Sequence, residues 1–166
     1  AIKGVVIAIP HVRGGSEKGE EWYKAGYKAT KPNTWKDFNS CAEYLIEKGY
    51  TSADRLAGIG TSAGGILISR AITERPDLYA AAICNVGCAN AMRLEFTPNG
   101  PANIPEFGTV KDSIECRALY EMDGVQHVVK NTKYPAVICI GGLNDPRVIA
   151  WEPVKFASAL QNATPS

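Results

Sequence analysis

A serine set between glycines, where an apolar run gives way to a helical one, is the arrangement in this sequence best suited to covalent chemistry. Gly60-Thr61-Ser62-Ala63-Gly64-Gly65 follows the apolar residues 56–59 and precedes the helix-forming residues 66–72, the layout of a nucleophile elbow. A strand that turns at once into a helix forces the residue between them into a strained backbone conformation, and neighbouring side chains would collide there; Gly60 and Gly64 are expected to relieve that collision. The Ser62 hydroxyl would then project clear of the sheet, with the Ala63 N–H, at a helix N-terminus, placed to stabilise a developing oxyanion.

A second chemical group follows the last apolar run: Gly141-Gly142-Leu143-Asn144-Asp145-Pro146-Arg147. In open parallel sheets, sites form beyond the carboxyl ends of the strands, so Asp145 and Ser62 are expected at one rim. Asp145 reads equally as an acid that orients a histidine or as an ordinary turn aspartate before proline. The glycine-rich residues 13–19 are not a phosphate cradle, since Gly19 is followed by Glu20-Glu21 rather than Lys-Ser/Thr. No cofactor and no metal is expected.

The elements that must position these groups alternate. Residues 5–9, 80–84 and 136–140 are continuously apolar, as strands buried on both faces of a parallel sheet are. Trp35, Phe38, Cys41, Ala42, Leu45 and Ile46 recur at helical spacing, and Thr34 with Asp37 suggests a capping box for a helix over 34–48 that Gly49 ends. Further helices are expected over 66–74, stopped by Arg75-Pro76, and over 153–161. Strand alternating with helix means an α/β fold. Residues 88–114, with Pro98, Gly100, Pro101, Pro105 and Gly108, show no clear period and are expected to form a long loop, a lid or pocket wall. Trp22, Trp35 and Trp151 read as packing anchors.

With 166 residues, 45% of them hydrophobic, the chain can form one domain, or part of one. Eighteen basic and 17 acidic residues leave a formal charge of +1, which gives no field for nucleic acid or an anionic membrane. The expected partner is a small molecule or peptide. Five cysteines, Cys41, Cys84, Cys88, Cys116 and Cys139, include no CxxC pair and read as reduced thiols. There is no transmembrane run, and Ala1-Ile2-Lys3-Gly4 lacks a signal-peptide layout. The compartment expected is the cytoplasm, or the periplasm if the full-length protein carries a signal peptide.

The stretch from His11 through Arg13-Gly14-Gly15-Ser16-Glu17-Lys18-Gly19-Glu20-Glu21-Trp22, then Gly60 to Gly65, then Asn144-Asp145-Pro146-Arg147-Val148, in this order, resembles the catalytic domain of the prolyl oligopeptidase family of serine peptidases. Similarity continues through Lys31-Pro32-Asn33-Thr34-Trp35, residues 73–78 and Tyr134-Pro135-Ala136-Val137. The resemblance implies a partial α/β-hydrolase fold over 1–166: a mainly parallel sheet with helices on both faces, lacking the early strands and the last one. It implies hydrolysis of oligopeptides through an acyl-enzyme, with Ser62 as nucleophile, Asp145 as the acid of the triad, Ala63 as half of the oxyanion hole and Arg147 as a ligand for a substrate carbonyl. Phe107 is the candidate wall of a substrate pocket.

The same resemblance marks departures. The family's catalytic histidine follows the acid, whereas His11 and His127 both precede Asp145, so the isolated chain is expected to be inactive. If the family strand order holds, His11 lies two strands from Ser62, about 10 Å at ~4.8 Å per strand, and His127 reads as a surface residue. The β-propeller and the family's oxyanion tyrosine have no counterpart, and Tyr23 stands where histidine is common. The strands at 5–9 and 56–60 should also be separated by one this chain lacks; the expectation is that the chain re-pairs them or associates through an open edge. An esterase or acylaminoacyl hydrolase of the same fold, and a catalytically silent assembly module, remain as alternatives.

Overall fold

The computed structural model describes residues 4–163. Ala1–Lys3, part of the stretch read above for a signal-peptide layout, lie outside the described residues. Three parallel strands, β1 (Ala57–Thr61), β2 (Ala81–Asn85) and β3 (Ala136–Ile140), form a sheet in the order β1-β2-β3. Its registers align Gly60 with Cys84 and Cys139, and Thr61 with Asn85 and Ile140. The carboxyl ends of all three strands therefore share one rim.

Among the described residues there are six α-helices: α1 (Glu20–Lys24), α2 (Pro32–Glu47), α3 (Gly64–Glu74), α4 (Gly100–Phe107), α5 (Ser113–Met122) and α6 (Trp151–Ala163). Each has a local cause. α2 begins at Pro32, whose missing N–H costs nothing in a first turn, and is followed by Gly49 at φ 73. α3 stops at the Arg75-Pro76 step. Asp112 caps α5 by accepting the Ile114 and Glu115 N–H groups at 2.9 Å.

The core lies where α2, α3 and α6 meet the sheet. Ile66, Ile68 and Ile72 of α3, Trp35 of α2 and Phe156 of α6 are fully buried, each contributing about 1.5–3 kcal/mol of transfer free energy. The Trp35 Nε1–H donates to Glu74 at 2.7 Å, and the Arg70 guanidinium lies 4.9 Å from its ring. Ile59, Ile138 and Ile140, on the opposite face of the sheet, are exposed. Helices covering that second face are not among the described elements.

Four sequence expectations need correction. Residues 5–9 form no strand: Val5, Val6, Ile7 and Ile9 are 59–78% exposed. A groove of about 640 Å³ is lined by Val5, Val6 and Ala8 together with Phe38, Leu45 and Leu56. Without a neighbour for its N–H and C=O groups, an apolar run has no ladder to join. The chain has not re-paired across the gap.

The capping box is also different, because Thr34 Oγ1 donates to the Arg13 carbonyl at 2.8 Å and the Arg13 guanidinium grips Asp37 at 2.8 and 2.5 Å. Burial pushes the Asp37 carboxyl up, but these bonds outweigh it and hold the group below its ordinary range. Both residues thus bind the glycine-rich loop to α2. Residues 88–114 are largely helical, comprising a 3-10 turn (Ala91–Phe96), α4 and the start of α5. Finally, a Cβ on Gly64 would meet nothing within 4 Å, so the crowding expected there lies elsewhere.

Candidate active site

Ser62 follows β1 directly and adopts φ 55. A non-glycine residue in that region carries strain of order 1–3 kcal/mol unless its surroundings impose it. Here they do. The Ser62 N–H donates to the Asn85 carbonyl at 3.1 Å, and the Ser62 carbonyl accepts from Gly65 at 2.8 Å and Cys88 at 3.0 Å.

Close packing explains the glycines. A Cβ on Gly60 would lie 2.0 Å from the Gly64 carbonyl oxygen, and one on Gly65 would lie 2.4 Å from the Cys88 nitrogen. Gly65, not Gly64, is the second position where a side chain is excluded. The half-buried Ser62 hydroxyl and the exposed Ala63 N–H donate to no acceptor among the described residues.

The loop after β2 supports this turn. Val86, at φ 41, donates its N–H to the Ile140 carbonyl at 2.8 Å, joining the rim of β2 to that of β3. Four residues on, the Asn90 N–H donates to Glu152 at 2.8 Å and its side-chain amide donates to Asp123 at 2.7 Å. Asp123 also accepts from Met92 and Gln126. Both carboxyl groups are fully buried, and burial pushes that of Glu152 up to about 8. Sequence reasoning missed Asn90, Asp123 and Glu152; nothing in their spacing announces a contact made through α6.

Asp145 lies in the turn after β3. Its Oδ1 accepts the Val148 N–H at 3.0 Å and the Arg147 N–H at 2.8 Å, and these bonds hold the carboxyl below its usual range. Oδ2 accepts nothing among the described residues, so one oxygen shapes the turn while the other remains available to orient a donor. Burial, with Glu152 and then Asp145 adding to it, raises the thiol of Cys88, whose N–H binds Ser62. Asp145 and Ser62 thus flank one loop at one rim. Arg147 is exposed beside them.

Phe107 is elsewhere. Its ring is 5% exposed, at the end of α4, with the Lys31 ammonium 5.6 Å from its centroid. The expectation of a pocket wall is corrected: α4 is a helix and turns this ring into the core. Tyr23 donates its hydroxyl to Glu106 of α4 at 2.7 Å, a bond that pushes the phenol up to about 12. Neither histidine approaches Ser62. His11 Nδ1 pairs with Glu17 at 3.2 Å, while His127 Nδ1 bonds the Asp123 carbonyl at 2.8 Å and its ring packs on Tyr120. His127 is therefore anchored and partly buried, not the surface residue expected.

Among the described residues no group of three or more metal-ligating side chains occurs, and no helix is long and apolar enough to cross a membrane.

The profile of the prolyl oligopeptidase family matches residues 1–165. The chain is 37% identical over 159 residues to a prolyl endopeptidase of Elizabethkingia miricola, covering 95% of this chain and 23% of that protein. It is 32% identical over 163 residues to a dual-function macrocyclase-peptidase of Galerina marginata, covering 98% and 22%. Among solved structures, oligopeptidase B of Trypanosoma brucei with covalently bound antipain superposes with a TM-score of 0.88 at 35% identity, covering 94% of this chain and 22% of that one. A structure from a study of two prolyl endopeptidases gives a TM-score of 0.89 at 37% identity, covering 92% and 22%. The chain spans less than a quarter of the length of these relatives. A strand–Ser62–helix turn, an aspartate after the third strand of the same parallel sheet, and this agreement along the whole chain have one explanation: the chain belongs to the prolyl oligopeptidase family.

Proposed function

We propose that the protein to which this chain belongs is a serine peptidase that hydrolyses oligopeptides through an acyl-enzyme on Ser62. The observation that carries this reading is Ser62 at φ 55 on the strand–helix turn, its hydroxyl uncommitted and the Ala63 N–H beside it. In the reaction, Ser62 Oγ attacks the scissile carbonyl carbon while a base takes its proton. The oxyanion that forms lies against the Ala63 N–H, and the amine leaves with a proton returned by the same base. Water then repeats the sequence on the ester. Asp145 holds the base through Oδ2, and Arg147 binds a carbonyl of the peptide. With both histidines of the chain engaged away from Ser62, the base comes from outside these 166 residues, and the chain alone is catalytically silent.

Names among the relatives, prolyl endopeptidase and macrocyclase-peptidase, support a peptide substrate. Five unpaired thiols support a cytoplasmic site of action. A fluorophosphonate probe on the full-length protein is expected to form one adduct per chain, at Ser62, with the 166-residue chain reacting far more slowly. An adduct confined to another serine would end this assignment.

The outer edges of β1 and β3 have no partner strand among the described residues. Self-association of the isolated chain through them follows, visible as a mass that rises with concentration in size-exclusion chromatography with light scattering. A monomer across the whole range would count against it.

A further inference from the structure

Beneath the elbow lies a group of side chains that acyl transfer does not use. Cys84 of β2 and Cys139 of β3 are register partners, on the face of the sheet that carries α3 and α6. Directly paired residues of neighbouring strands stand ~4.8 Å apart, inside the Cα–Cα span of about 4.4–6.8 Å that a disulfide bridges. Their thiols are close enough to perturb one another's ionisation. Cys84 is fully buried, while Cys139 is partly open to solvent. That makes an asymmetric pair, with one thiol reachable and its register partner buried on the neighbouring strand.

We propose that Cys84 and Cys139 form an oxidisable dithiol, a modification site for hydroperoxides that closes to a cross-strand disulfide. The Cys139 thiolate attacks one oxygen of the peroxide and the O–O bond breaks; hydroxide leaves, takes a proton and becomes water, and Cys139 becomes a sulfenic acid. Cys84 then gives up its proton as its sulfur attacks that of Cys139. The S–O bond breaks, and the departing hydroxide takes the proton as a second water. Two thiols are oxidised by two electrons and one hydrogen peroxide is reduced to two waters.

The roles follow exposure. Cys139 is the partly open thiol, and its proximity to Cys84 eases its ionisation, while the fully buried Cys84 stays in the thiol form. Cys41 is exposed, but burial of its sulfur and the nearby Asp37 push its thiol up, so exposure alone does not make it the faster site. Cys88 has no register partner, and burial raises its thiol to about 12.

The bridge would act on the elbow. Cys84 Sγ lies 2.3 Å from where a Cβ of Gly87 would stand, and Gly87 in turn packs on Gly65. Drawing that sulfur towards Cys139 removes the support under the loop whose Cys88 N–H holds the Ser62 carbonyl.

The test treats the folded chain with a small excess of hydrogen peroxide, blocks the remaining thiols with iodoacetamide, and maps peptides without reduction. The expected result is a Cys84–Cys139 linked peptide, two hydrogens lighter than its parts, with two of the five thiols lost and both regained with dithiothreitol. Cys84→Ser should leave a sulfenic acid at Cys139 that dimedone traps, and this readout survives even if Cys139→Ser fails to fold. Alkylation of both Cys84 and Cys139 while Cys41 or Cys116 is oxidised would overturn the proposal. So would a link through Cys88.

Discussion

Ser62→Ala is expected to lower kcat/KM of the full-length protein on an oligopeptide about a million-fold, the loss that follows when a serine protease is stripped of its nucleophile. The size of the effect comes from the turn. Ser62 is the residue at the β1–α3 junction, held at φ 55 by hydrogen bonds through its own backbone, and its hydroxyl contributes no bond to the fold. Alanine accepts the same backbone bonds, so thermal stability should stay within about 0.5 kcal/mol of the parent. Unfolding and kinetics together separate chemistry from structure. A variant that keeps peptide hydrolysis within tenfold of the parent would exclude Ser62 as the nucleophile, wherever the histidine comes from.

Gly60→Ala is expected to cost about 3 kcal/mol of stability, the upper range for forcing extra volume into a packed site, or a fall of roughly 6–12 °C in Tm for a domain of this size. The added methyl would stand 2.0 Å from the Gly64 carbonyl oxygen and 2.9 Å from Ile68 Cβ. Neither can move without unwinding the first turn of α3 or opening its packing on β1. Gly64→Ala is the internal control: the space there is open and the residue is helical, so stability should hold or rise by about 0.5 kcal/mol. Calorimetry or thermal circular dichroism on the two variants checks the contrast. Equal destabilisation would mean that the elbow is not packed as described.

Much of this architecture was legible in the residues. The strand over 136–140 falls where the apolar run placed it, and α3 stops at the Arg75-Pro76 step. Local chemistry sets such features, and local chemistry is what a sequence displays. The run at 5–9 misled for the opposite reason. Continuous apolarity reports that a segment is suited to a place between neighbours, whereas a strand exists only once those neighbours are paired with it.

The prolines of 88–114 hid α4, because Pro101 occupies a first turn, where a missing N–H is harmless. Asp112-Ser113-Ile114-Glu115 carries an N-terminal capping signature that was readable and overlooked. At the candidate site, motif and topology placed Ser62 on a strand–helix turn and Asp145 in the turn after the last strand, and those are the positions they occupy. Phe107 was misplaced, since a ring in an assumed loop has no direction until the helix is known. The buried bonds of Asn90 to Glu152 and Asp123 join residues 62 and 33 positions apart, a separation at which no pattern along the chain can speak.

The conformation of residue 62 also limits which alcohol can serve there. Threonine offers the same functional group, but its branched Cβ is poorly tolerated at φ 55. The backbone at this position thereby favours a primary alcohol or a thiol over the secondary alcohol that other hydrolases exploit.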